Sequence, residues 1–263
     1  MPARLTPILM YHSIDADPPE RFAPFAVSPA RFDGHLRLIR EEGFRFLSVS
    51  EFVGARDLGQ IPERAVVLTF DDGFADFYYE AAPILARHDA RATLYAVAGL
   101  IGKTSRWLEE IGAGASPMLT WRQLCEVGDA GVEIGAHSMT HPALDCIPLE
   151  RAREEILQSR RTIEEALSIE VRSFAYPFGY YSRAVRDLLP VCGYRSGCAV
   201  GYAHSGPDDD VFALRRHIVR GDTADAQLLA ILHGSIPSAA MMFDRLRSQA
   251  WGLVRRRYYK GGA

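Results

Sequence analysis

A chain of 263 residues with 48% hydrophobic and 24% charged side chains has the composition of an ordinary globular protein and the length to bury a sizeable core. Its 30 Lys and Arg against 33 Asp and Glu leave a net charge of −3, so the overall balance gives no attraction for nucleic acid. The four cysteines, Cys125, Cys146, Cys192 and Cys198, form no CxxC pair and are too sparse for a disulfide scaffold, which leaves them as reduced thiols.

The first element is the apolar run Pro7 to Tyr11, followed by an acidic, Pro-rich stretch. That run is too short for the core of a secretory signal, and no run in the chain has the length of a transmembrane helix, so a cytoplasmic location is expected. Ser28 and Pro29 have the cap and first-position chemistry of a helix that carries Phe32, Leu36 and Ile39 on one face and stops at Gly43. Phe46 to Val49 reads as a short strand, with a short helix from Glu51. Ala65 to Phe70 is the strongest strand pattern, apolar on both faces, and it ends in Asp71-Asp72-Gly73. A helix over Phe77 to His88 and a strand over Ala92 to Val97 follow.

Ser116 or Thr120 caps a helix through Trp121 and Leu124, and Val132 to Ala136 is a strand that ends at His137. Leu149 to Leu167 has the period of a long amphipathic helix, with Ala152, Ile156, Ile163 and Leu167 near one face. Ser173 to Tyr176 is a strand closed by Pro177-Phe178-Gly179. A helix near Ser182 to Pro190, strands near Ser196 to Val200 and Phe212 to Val219, and a helix over Ala224 to His233 complete the pattern. About seven βα units in succession predict an α/β barrel, where catalytic groups gather at the C-terminal ends of the strands. Asp71, Asp72, His137 and the Tyr176-Pro177 turn all fall at such ends.

If the segment turns helically, the spacing His137-x-x-x-His141 puts two imidazoles on one side. Two imidazoles and a carboxylate suit zinc or a similar divalent ion and leave a position for water. On an extended backbone, adjacent Asp71 and Asp72 point apart, so one can bind the ion while the other takes a proton from water.

Thr69-Phe70-Asp71-Asp72-Gly73, His137-Ser138-Met139-Thr140-His141-Pro142 and Phe174-Ala175-Tyr176-Pro177-Phe178-Gly179 resemble, in order and in spacing, the three leading motifs of the polysaccharide deacetylase family, the NodB-homology group of carbohydrate esterases. The resemblance spans roughly Ile8 to Gly234. It implies a distorted (β/α)7 barrel that hydrolyses N-acetyl, sometimes O-acetyl, groups on sugar polymers. It implies Asp72, His137 and His141 as ligands of one divalent ion, zinc first with cobalt or nickel as alternatives, and Asp71 as general base. The backbone N–H of Tyr176 is implied as an oxyanion donor, with Phe178 and Gly179 shaping the groove wall.

The family's third motif carries an Arg that tethers the basic aspartate, but here Ala175-Tyr176 stands in its place; Arg215 or Arg216 offers a replacement. Met10-Tyr11-His12-Ser13-Ile14 resembles the early Tyr-His motif of the exopolysaccharide deacetylase branch, which implies His12 as the general acid. His233, in Ile231-Leu232-His233, and His217 are the other two candidates, although His233 falls at a helix C-terminus, where the dipole favours it.

Residues 1–235 read as the catalytic domain and 236–263 as a basic, aromatic helical extension. Between Arg245 and Lys260, Arg residues alternate with Trp251, Tyr258 and Tyr259, the chemistry of peripheral contact with an anionic membrane or a lipid-linked glycan. The expected partner is an N-acetylated glycan, with no nucleic acid. A metal amidohydrolase of a small amide or imide, an O-acetyl esterase and a catalytically silent glycan-binding protein are the competing classes.

Overall fold

The computed structural model describes residues 5–235. The basic aromatic tail, and with it the expected membrane contact, lies outside the described residues, and no helix among them is long and apolar enough to cross a membrane.

Among the described residues ten strands form in chain order: β1 (Ile8–Tyr11), β2 (Ser13–Ile14), β3 (Ala26–Val27), β4 (Arg45–Leu47), β5 (Ala65–Phe70), β6 (Thr93–Ala96), β7 (Glu133–Ala136), β8 (Ser173–Ala175), β9 (Ser196–Val200) and β10 (Leu214–Ile218). The helices are α1 (Pro29–Glu41), α2 (Val49–Asp57), α3 (Ala82–Arg87), α4 (Trp121–Asp129), α5 (Leu149–Leu167), α6 (Arg183–Val191) and α7 (Asp225–Leu232). Caps fix the starts as local chemistry dictates. Ser28 accepts from the Arg31 amide at α1, and Ser48 with Glu51, and Thr120 with Gln123, close capping boxes on α2 and α4. The segment before α3 departs from the expected helix: Phe77–Ala81 is a π-turn.

The main sheet runs β1-β10-β9-β8-β7-β6-β5-β4, and β1 also pairs with β5 (Leu9 opposite Leu68, Tyr11 opposite Phe70). This pairing closes seven parallel strands into a barrel, the (β/α)7 fold that the sequence resemblance implies. β4 is the distortion. It pairs with the first half of β5 (Arg45 opposite Ala65) while β6 takes the second half (Thr69 opposite Thr93), so β4 and α2 fill the gap at the N-terminal end.

Side-chain alternation splits the core into two layers. Ile8, Val67, Tyr95, Ala175, Cys198 and Leu214 form one cluster inside the barrel. Leu9, Leu68, Phe70, Leu94, Phe174 and Tyr176 belong to a second cluster, which packs beneath the helices. The N-terminal end of the lumen is closed by polar groups: Glu133 accepts from the Ser50 amide and the hydroxyls of Ser50, Thr93 and Ser173 at 2.7–2.9 Å. Cys192 and Cys198 are buried thiols, and all four cysteines are free.

Candidate active site

The inward parity of each strand carries polar residues to its C-terminal end: Asp71 beyond β5, His137 beyond β7 and Arg216 on β10 are all buried. Asp71 continues the β1–β5 ladder by donating its amide to the Tyr11 carbonyl at 3.0 Å. The chain then turns sharply. Asp72 has φ 75°, a left-handed conformation that costs a non-glycine residue on the order of 1 kcal/mol. Gly73 follows at φ 84°, and a Cβ there would stand 3.3 Å from the Ala96 Cα. The neighbouring carboxylates therefore diverge through a strained turn rather than through extended backbone.

The two histidines come together without a helix. Residues 137–142 form a loop in which Ser138 (φ 64°) and His141 (φ 61°) are left-handed, which corrects the helical expectation for His-x-x-x-His. The loop is fixed by hydrogen bonds. Ser138 Oγ accepts from the His141 amide at 3.0 Å, while the amides of Ala98 and Gly99 donate to the carbonyls of Ser138 and Met139. Trp107 stacks on the His141 ring (centroids 4.8 Å apart) and Phe178 meets it edge-on at 4.6 Å.

His137 Nε2 and His141 Nε2 face the same oxygen, Asp72 Oδ1, at 3.5 and 3.3 Å. One ligand-type atom from each of the three residues lies within 4.8 Å of the others. Bonds of zinc length in a tetrahedral arrangement hold neighbouring donors about 3.4 Å apart, so the residues present fit a divalent ion. His137 Nδ1 lies 2.8 Å from the Ala175 carbonyl, the kind of outer partner that orients a ligating imidazole. Burial opposes the charge on Asp72, but the two imidazoles more than offset it and hold its carboxyl well below the usual range.

Asp71 is gripped by Arg216, with Nη1 donating to Oδ1 and Nη2 to Oδ2, each at 2.7 Å. Burial raises the Asp71 carboxyl, yet Arg216 and His137 outweigh it and the group stays ionised. Of the two arginines offered by the sequence, Arg216 takes the tether position; Arg215 pairs with Asp209 at 2.6 Å. The His12 ring packs edge-on against Phe25 at 5.4 Å. Burial lowers the His12 imidazole, against the pull of nearby Asp72 and Asp71. Ser13 Oγ donates to Asp76 and so ties the segment after His12 to the loop after β5.

Tyr176 requires a correction. Its amide donates to the Cys198 carbonyl at 3.0 Å, extending the β8–β9 ladder, and its hydroxyl donates to Phe212 O at 2.8 Å. That N–H is therefore already bonded and does not face an oxyanion; the ring belongs to the outer core. Neither alternative acid joins the cluster. His233 pairs with Glu42 at the surface, and His217 lies on β10 with its ring 5.4 Å from that of His204. Glu155 and Asp76 were not singled out from the sequence, and Arg216 was left undecided beside Arg215.

A parallel barrel that collects a buried carboxylate–imidazole cluster and an arginine-held carboxylate at its C-terminal strand ends has the layout of a hydrolytic barrel enzyme. Residues 59–197 match the Polysaccharide deacetylase family model. YxkH of Bacillus subtilis (strain 168) is 27% identical over 216 residues, covering 82% of this chain and 71% of that protein. Poly-beta-1,6-N-acetyl-D-glucosamine N-deacetylase of Staphylococcus epidermidis is 22% identical over 207 residues, covering 75% of this chain and 69% of its own. Among solved structures, Streptococcus pyogenes deacetylase PplD, in complex with acetate, superposes with a TM-score of 0.75 at 29% identity, covering 87% of this chain and 98% of that one. The chain belongs to the polysaccharide deacetylase family.

Proposed function

We propose that this protein is a divalent-metal-dependent N-deacetylase that removes acetyl groups from aminosugars in a glycan and releases acetate. The observation that carries the reading is the convergence of Asp72, His137 and His141 on one point, beside an Asp71 whose charge Arg216 maintains. A divalent ion held there, with zinc the first choice by donor set and cobalt or nickel the alternatives, supplies Lewis acidity toward water and the acetyl oxygen. Asp71 takes the proton from the attacking water, and Arg216 keeps it ionised and fixed in orientation. His12 gives a proton to the amine as the C–N bond breaks, so acetate and the free aminosugar leave together. The activity printed in the name of the S. epidermidis relative supports an N-acetylated aminosugar polymer as substrate.

Acetate release from β-1,6-linked N-acetylglucosamine oligomers tests the reading. Chelation abolishes release and zinc restores it. Asp71→Asn and His12→Ala each lower kcat by about 10²-fold or more while zinc content is retained. Release that survives complete chelation overturns the metal-dependent mechanism. Turnover of small cyclic amides but not of glycans transfers the protein to the small-amide class.

A further inference from the structure

The His137–His141 loop poses a physical problem that its own residues do not solve. Two ligand side chains are carried on four peptide bonds outside any helix or strand, with two non-glycine residues at positive φ. Such a conformation persists only when its surroundings over-determine it. On the barrel side the carbonyls of Ser138 and Met139 are taken by the amides of Ala98 and Gly99, and a Cβ on Gly99 would lie 2.5 Å from the Met139 oxygen. The central amides of the loop, those of Met139 and Thr140, point the other way, toward α5.

There they meet one carboxylate. Glu155 Oε2 accepts from the Met139 amide and the Thr140 amide, each at 2.9 Å, and Oε1 accepts from the Thr140 hydroxyl at 2.6 Å. Glu155 is buried on the face of α5 that carries Ala152, Ile156, Ser159 and Ile163. A buried carboxylate is costly unless it is hydrogen-bonded, and here its three partners all come from the link between the two candidate ligands. A neutral apolar residue at this helix position would pack equally well against the core but would leave two part-buried amides without their acceptor.

We propose that Glu155 is a positioning residue for the metal centre: it sets the separation and orientation of the His137 and His141 imidazoles by holding the loop between them in its left-handed form. This role rests on the metal reading of Asp72, His137 and His141. The carboxylate touches neither the ligands nor the substrate and acts through the backbone of Met139 and Thr140. It places the imidazoles before an ion arrives, so its loss weakens metal binding rather than only the fold. Outer-shell partners of this kind change metal affinity by about 10- to 100-fold.

The test is zinc titration of the metal-free full chain by calorimetry, together with the visible spectrum of the cobalt-substituted protein and the thermal midpoint of the metal-free state. Glu155→Ala is expected to raise the zinc Kd by about 10- to 100-fold and to alter the cobalt spectrum. Glu155→Gln, which keeps an acceptor for the two amides while Thr140 turns its hydroxyl, is expected to lose less than about 10-fold. A Glu155→Ala protein that is less heat-stable but binds zinc with wild-type affinity and cobalt with the wild-type spectrum overturns the proposal. Where Glu155→Ala does not fold, Thr140→Val carries the test by removing the hydroxyl contact alone: an intermediate rise in Kd supports the role and an unchanged Kd overturns it. Wild-type protein that takes up no zinc, cobalt or nickel removes the metal reading itself and this role with it, an outcome distinct from a variant that binds normally.

Discussion

Arg216 enters the barrel from β10, fully buried, and uses both terminal nitrogens on Asp71. Neither group would be tolerable there alone, because removing one partner of a buried pair leaves an uncompensated charge at a cost of about 3–5 kcal/mol. Arg216→Met therefore lowers the unfolding free energy by about that much, or forces Asp71 to take up a proton and cease to be a base. Arg216→Lys discriminates better. It keeps the charge but cannot grip two oxygens at once, so the acid limb of the kcat/KM profile moves to higher pH as Asp71 loses part of its protection. An unchanged profile in a folded Arg216→Lys enzyme would show that the tether does not set the ionisation of Asp71. The choice between Arg215 and Arg216 was within reach of the sequence: counting by two from inward Leu214 selects Arg216. The same count from inward Ala175 turns Tyr176 outward, but the bond that occupies its amide depends on the β8–β9 register, which no local pattern encodes.

Each barrel strand runs from a structural end to a chemical end, and β7 shows both within a few residues. Glu133 opens the strand and binds Ser50, Thr93 and Ser173, pinning α2, β6 and β8 around the closed end of the lumen. His137 follows the strand and meets Asp72. Glu133→Ala leaves several donors without their acceptor at a cost of about 1–3 kcal/mol, while the ligand cluster at the other end is untouched. The expectation is a lower thermal midpoint of the metal-free protein with zinc affinity within about twofold of wild type; a large loss of affinity would contradict the separation of the two ends. Helices were largely legible because their period and caps are local: α5 occupies Leu149–Leu167 as its pattern predicts. Two-residue β2 and β3 left no pattern to read, since each exists only by pairing with the other. The His-x-x-x-His spacing misled because a helix and a hydrogen-bonded loop can both bring two residues four apart together, and only the second uses Glu155. The one available signal was a charged residue on the buried stripe of α5, three places after Ala152 and four before Ser159.

At the scale of the whole molecule, stability against pH is governed by ionisable groups that folding removes from water. His35 lies on the buried face of α1 with Nδ1 3.2 Å from the Tyr11 hydroxyl, and burial, with Arg31 adding and Asp225 opposing, pushes it down to about 4. His217, on the outer face of β10, is also lowered to about 4, by burial and then by His204 and Arg215. Both are neutral in the folded chain, whereas the unfolded chain binds protons near pH 6.5, so the stability they allow is present above about 6.5 and drains as pH falls toward 4. Asp76 acts in the opposite sense. Burial raises it to about 6, so within the interval from about 3.8 to about 6 the folded chain holds a proton that the unfolded chain has released, and stability falls as pH rises. The two histidines outnumber the aspartate and titrate in the unfolded chain nearer neutrality, so they win between pH 7.5 and 5. Each contributes up to about 3 kcal/mol across its full range. Urea midpoints in chelator are therefore expected to drop between these pH values in the wild type and to drop less in a His35→Gln, His217→Gln variant. Asp76→Asn is expected to steepen the acid loss, because it removes a carboxyl that folding helps to protonate. Parallel pH dependences for the wild type and the double variant would locate the acid sensitivity in the ligand cluster instead, where burial also holds the His141 imidazole below its ordinary range.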